Sequence, residues 1–188
     1  YPTDNIISSD ILSNRNYIVE LDGDTSATFM LSLRIPMWSA LDRVKATVNG
    51  EQLKVDAYGW LPITREWKAG DKITLELDMR GRVVEQNNYQ AIVRGPVVLA
   101  RDSRMADGFV DETSVVQSKD GYVELKPITV PDFAWMTFSV PMVLGTDLEG
   151  AAEPSQIKMC DFASAGNTWD KAIRYRVWLP RTLHVMTT

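Results

Sequence analysis

The chain has 188 residues, a net charge of −5, and 45% apolar against 24% charged side chains, a make-up that fits folded globular domains and argues against disorder. Acidic and basic residues are interspersed with no basic stripe for nucleic acid, and apolar runs such as 96–100 are far too short to span a bilayer. A single cysteine, Cys160, excludes an internal disulfide framework and a cysteine-rich zinc site.

The first residue is Tyr1 rather than a methionine, which reads as a trimmed or processed piece. From there, alternation with a period of two dominates. Asp22-Gly23-Asp24 resembles part of a calcium loop but lacks further ligands at regular spacing, so it reads as a turn between strands. Over 28–35, Phe29, Leu31, Leu33 and Ile35 share one face, and Pro36 ends the strand because it cannot donate to a ladder. Val44, Ala46 and Val48 lead into Asn49-Gly50, after which Leu53 and Val55 resume the pattern. Asn-Gly between alternating runs predicts a two-residue hairpin turn with both residues at positive φ.

Ile73, Leu75, Leu77 and Met79 make a further strand launched from the turn Ala69-Gly70-Asp71. The stretch 91–100 is strand-like and interrupted by Gly95-Pro96, read as a bulge or an edge position. Strands are expected at 122–125, 134–140, 156–162 and 173–179. In the last, Ile173, Tyr175, Val177 and Leu179 face one way and Arg174, Arg176 and Trp178 the other. No stretch holds a helical period beyond two turns. Short strands separated by Gly, Pro, Asn and Asp predict an all-β fold, an antiparallel β-sandwich or jelly-roll. Two consecutive modules, 1–102 and 103–188, are expected, divided at the composition shift over 101–107, with one larger sandwich as the alternative. The soft stretch 147–154 reads as a surface loop.

No residue combination forms a recognisable catalytic centre. The only histidine, His184, lies near the end of the chain, where order is usually low, and Cys160 sits in an alternating strand, read as a small buried hydrophobe. Glu66, Asp71, Glu76, Asp78 and Glu85 could in principle supply glycosidic acid/base pairs, but their positions at turns and on polar strand faces favour solvated roles. Six tryptophans are many for this length. Trp60 and Trp135, within strand-like patterns, are expected in the core. Trp38, after Pro36, and Trp169, in the polar loop 164–170 with Asn167, are the candidates for contact with a carbohydrate or a neighbouring domain.

Five stretches together resemble one family. Leu33-Arg34-Ile35-Pro36-Met37-Trp38, Val48-Asn49-Gly50, Trp67-Lys68-Ala69-Gly70-Asp71 and Val93-Arg94-Gly95-Pro96-Val97-Val98 occur in the order seen in β-L-arabinofuranosidase-like enzymes, glycoside hydrolase family 127 and relatives. The close, Asp161-Phe162-Ala163-Ser164-Ala165-Gly166-Asn167 and then Arg176-Val177-Trp178-Leu179, is similar to their C-terminal signature. The resemblance implies an N-terminal catalytic α/α barrel, with a zinc-bound cysteine cluster and a glutamate, followed by β-sandwich domains. It also favours a periplasmic or secreted location. Nothing in this chain matches the barrel, so no catalytic, cofactor or metal residue carries over. The expectation is a non-catalytic C-terminal β region that supports such a barrel, with an autonomous carbohydrate-binding module as the alternative. The expected partners are the barrel and an oligosaccharide, not nucleic acid or membrane.

Overall fold

In the computed structural model, which describes residues 16–20, 26–145 and 154–181, the regular elements are β-strands apart from two short 3₁₀ turns. All strand pairs are antiparallel. The chain divides into two compact units, residues 1–79 and 80–188.

The first unit contains β1 (Asn16–Glu20), β2 (Ala27–Ile35), β3 (Lys45–Val48), β4 (Glu51–Leu53), β5 (Gly59–Trp67) and β6 (Lys72–Glu76). One sheet has the order β1-β6-β3-β4, and β2 pairs with β5 along nine residues in the other. Alternation decides which side chains meet between them: Leu33 and Ile35 of β2, Ala46 and Val48 of β3, Ile63 and Trp67 of β5, and Ile73 and Leu75 of β6 form one buried cluster. Two sheets closing on a shared apolar layer make a sandwich. Asn49 and Gly50 join β3 to β4 with φ of 52° and 84°, as the Asn-Gly signal predicts.

The second unit contains β7 (Gly81–Gln86), β8 (Tyr89–Arg94), β9 (Val97–Asp102), β10 (Ser114–Val116), β11 (Tyr122–Val123), β12 (Lys126–Pro127), β13 (Thr137–Leu144), β14 (Ser155–Asp161), β15 (Tyr175–Arg176) and β16 (Leu179–Pro180). Their order is β10-β13-β14-β9-β8-β7-β11, with β12 on β13, β15 on β9 and β16 on β8. The sheet curls until β10 comes back to β8. Buried Gln90 of β8 donates from Nε2 to the Ser114 carbonyl at 2.6 Å and accepts from the Val116 amide at 3.2 Å, although three strands separate β8 from β10 in the order. The interior holds Ile92, Leu99, Phe138, Val140, Met142, Ile157, Met159 and Leu179.

Several expectations are corrected. The units divide between Met79 and Arg80 rather than between residues 102 and 103, because β7, β8 and β9 belong to the second unit's sheet. Gly95-Pro96 is neither a bulge nor an edge: Val93 pairs with Val98 and Arg94 with Val97, so it is the turn of a two-residue hairpin. Gly95, at φ 54°, takes the first central position, where such turns favour glycine. The stretch 173–179 is split into β15 and β16, which attach to different strands. Trp60 and Trp135 are exposed, at 66% and 71%, because alternation places each on the outer side of its strand or at its entry. Asp22-Gly23-Asp24, His184 and most of 147–154 lie outside the described residues.

Candidate functional site: a hydrogen-bonded loop carrying exposed aromatics

The end of β14 runs into a loop held by two buried carboxylates. Asp161 accepts the amides of Trp135 and Met136 on Oδ1 (3.0 and 3.1 Å), and the amide and hydroxyl of Ser164 on Oδ2 (3.0 and 2.7 Å). Four donors on one carboxylate fix the approach to β13 against the start of the loop. Asp102, at the end of β9, accepts the amide and Nε of Arg104 on Oδ1 and the Arg104 Nη2 and the Gly166 amide on Oδ2 (2.6–2.9 Å). Burial alone would raise the Asp102 carboxyl, but these hydrogen bonds and the Arg104 charge outweigh it and hold it below the ordinary value.

Arg104 then reaches across the loop. Its Nη1 donates to Asn167 Oδ1 at 2.9 Å, its Nη2 to the Ser164 carbonyl at 3.0 Å, and its guanidinium lies 3.8 Å from the centre of the Phe133 ring. Asn167 returns a hydrogen bond from Nδ2 to the Phe133 carbonyl at 3.0 Å. The Asn167 amide is thus occupied in holding the loop. Cys160 is fully buried beside this network; burial first, then the nearby charges of Asp102 and Asp161, push its thiol up to about 12. A thiol in that state is a poor nucleophile.

On this base the loop presents aromatic side chains. Gly166, at φ 63°, lies so close to Tyr175 that an added Cβ would stand 2.5 Å from the ring, so only glycine fits. Phe162 and Tyr175, both exposed, face each other with ring centroids 6.1 Å apart. Trp169 is 92% exposed and has φ 56°, a conformation a bulky side chain adopts only when its surroundings impose it. Trp135, whose amide is bound by Asp161 and Ser164, adds a further exposed ring. A hydrogen-bonded base with projecting rings can bury apolar area against a partner without first having to order itself.

Of the sequence candidates, Trp169 and Asn167 come together on this loop and Trp38 belongs to the first unit. Trp38 is half-buried rather than well exposed; it packs on the first unit's core and lines an apolar cleft of about 330 Å³ with Leu33, Pro36, Ile73, Leu75 and Leu77. Two of the five carboxylates are not solvated. Asp71 is buried, accepting from Asn49 Nδ2 at 2.7 Å and from the Lys68 amide at 2.9 Å, and these two hydrogen bonds in that order hold its carboxyl below 3.8. Asp78 is buried as well, its amide donating to Ser39 Oγ at 2.8 Å. Glu66 accepts from Ser26, and Glu85 pairs with Arg181. Among the described residues, no three His, Cys, Asp or Glu side chains are grouped to hold a metal, and no helix is long and apolar enough to cross a membrane.

Sequence reading missed Asp102, Arg104, Phe162 and Tyr175. The Asp161-x-x-Ser164 spacing carries a turn signal, but nothing local joins Asp102 to Gly166 across 64 residues.

Residues 7–79, ending where the first unit ends, match the β-L-arabinofuranosidase, GH127 middle domain family. The fold is similar to that of a GH127 β-L-arabinofuranosidase from Geobacillus stearothermophilus T6, with a TM-score of 0.69 and 18% identity over 92% of this chain and 29% of that one. It is also similar to a GH127 β-arabinofuranosidase, with a TM-score of 0.66 and 19% identity over 93% of this chain and 31% of that one. A third structure, a glycoside hydrolase, gives a TM-score of 0.61 and 20% identity over 92% of this chain and 31% of that one. The chain spans about three-tenths of the length of these structures. No curated protein matches it. The resemblance read from the five motifs is borne out.

Proposed function

We propose that this chain, similar over its first unit to a GH127 middle domain, is a non-catalytic β region of a glycoside hydrolase that supports a catalytic barrel elsewhere in the parent protein. The observation that carries the reading is Trp169, held outward at positive φ on a loop whose polar groups are bound internally. A side chain so placed adds nothing evident to its own unit and is suited to anchor a partner surface, where a buried tryptophan can dominate the binding energy. The barrel is the proposed partner, because the chain covers only about three-tenths of the structures it resembles.

Two measurements test this. Turnover of p-nitrophenyl β-L-arabinofuranoside by the chain should stay at the level of a heat-treated control. In the parent protein, Trp169→Ala should lower the thermal midpoint, while the same substitution in this chain leaves it unmoved. Hydrolysis that survives repurification, or equal effects in chain and parent, would overturn the proposal.

A further inference from the structure

We infer that the second unit carries a binding cleft for a neutral saccharide, walled by Tyr89 and Trp178 and lined by the polar side chains of Gln86, Asn87 and Arg176. The cleft has a volume of about 360 Å³, at the lower end of the roughly 300–1,000 Å³ typical of small-ligand sites. It lies where the β7–β8 turn meets the segment that links β15 to β16.

The chemistry of the lining selects the ligand. Tyr89 and Trp178 are both about four-tenths exposed, so each offers a ring surface to solvent while the rest of the side chain stays anchored. Aromatic faces accept the C–H side of a sugar ring, and carboxamides both donate to and accept from hydroxyl groups. Gln86 and Asn87 supply two such amides at the rim. The Arg176 guanidinium is ion-paired with Asp111, so the charge it brings to the lining is compensated. Among the described residues, no carboxylate lines the cleft. Two aromatic walls, two amides and a neutralised cation suit a polyhydroxylated neutral ring better than an anion or an apolar chain.

The walls are also fixed in place. Leu179 pairs with Gln90 and Pro180 with Tyr89, the Arg181 amide donates to the Asn88 carbonyl at 2.8 Å, and Arg181 Nη1 reaches Glu85 at 2.9 Å. These bonds tie β16 to the β7–β8 hairpin, so the two rings need little ordering on binding. Asn87 has φ 52°, which turns the chain back at the cleft mouth. The cleft shares no residue with the loop that carries Trp169.

The experiment titrates the chain with L-arabinobiose, xylobiose and cellobiose, with galacturonate as the charged comparison, following tryptophan fluorescence and side-chain amide shifts. At least one neutral disaccharide should give saturable changes that include the Gln86 and Asn87 amide resonances. Trp178→Ala should abolish the fluorescence change. Asn87→Gly, which suits the positive φ, should weaken binding by roughly tenfold with the melting temperature retained. Trp169→Ala should bind as the unchanged chain does. Absence of saturation with all three disaccharides would overturn the inference, as would binding that survives both Trp178→Ala and Asn87→Gly, or tighter binding of galacturonate. If Trp178→Ala does not fold, Asn87→Gly and the amide shifts decide the matter.

Discussion

The first unit's turn at Asn49 and the second unit's loop after Asp161 solve the same physical problem with different results. In each, a carboxylate gathers amides from segments distant in sequence. Around Asn49, the side chain donates to Asp71 while its own Oδ1 accepts the Lys72 amide at 2.8 Å, locking the β3–β4 turn to the β5–β6 turn. That arrangement closes a corner and exposes no large apolar side chain of its own. Around Asp161 and Asp102, the same kind of bonding holds a loop from which Phe162 and Trp169 project. One network completes its unit; the other spends comparable bonding on holding a surface that its own unit does not cover. That contrast singles out the second as the functional candidate.

The largest blow to the comparison comes from Asp161→Ala. It removes the acceptor of the Met136 amide and the Ser164 hydroxyl, while the Trp135 amide keeps Ser164 Oγ and the Ser164 amide keeps the Asp161 carbonyl. At roughly 1–3 kcal/mol for each buried group left unpaired, the chain should lose on the order of 2–4 kcal/mol. Urea unfolding gives the value, and a loss below about 1 kcal/mol would mean the loop is not held as described. In the first unit, Gly50→Val tests backbone geometry alone, since nothing lies within 4 Å of the added Cβ. The cost of forcing a β-branched residue to φ 84° should be about 1–2 kcal/mol, and an unchanged denaturation midpoint would contradict the turn.

Acid should act on the first unit's corner through Asp71. Its carboxyl sits below the ordinary 3.8 in the folded chain, so the unfolded chain takes up protons first as the pH falls. The stability Asp71 contributes is therefore full above its unfolded value and disappears as the pH drops through the lower folded value. Asn49→Ala, which removes the leading cause of the depression, should flatten the stability profile across that window; an unaltered slope would assign the acid sensitivity elsewhere. The Cys160 thiol, raised to about 12, behaves in the opposite sense: its contribution holds below its ordinary 9.0 and is lost as the pH rises through the folded value. Reaction with a disulfide reagent at pH 8 should be undetectable until denaturant is added.

The smallest effect belongs to the most exposed residue. Trp169→Gly removes a nearly fully solvated ring and relieves the positive φ, so the isolated chain should change by no more than about 1 kcal/mol, in the stabilising direction. A clear destabilisation would show that Trp169 packs on its own unit and would remove the contrast between the two networks.

Local pattern was enough for the all-β class, the core faces of β2, β3 and β6, and the Asn49-Gly50 turn. Each of these follows from side-chain alternation or from the φ demanded by two adjacent residues, which neighbours in sequence already determine. The site residues were legible only in part. Trp169 stood out because a large ring in a short polar loop has few places to hide, whereas Trp60 and Trp135 sit in strand-like sequence and gave no sign of facing outward.

What tertiary structure alone decided is where the chain divides and which strand ends meet. Val97–Asp102 reads the same whichever unit it joins; pairing with β8 and β14 assigns it to the second, and with it goes Asp102, the carboxylate that captures Gly166. Likewise Tyr89 and Trp178 become the two walls of one cleft because β16 pairs with β8 across some ninety residues of chain. A period of two tells which side of a strand a residue occupies, but it carries no information about the neighbouring strand. That choice rests on the combined burial and pairing of the whole sheet.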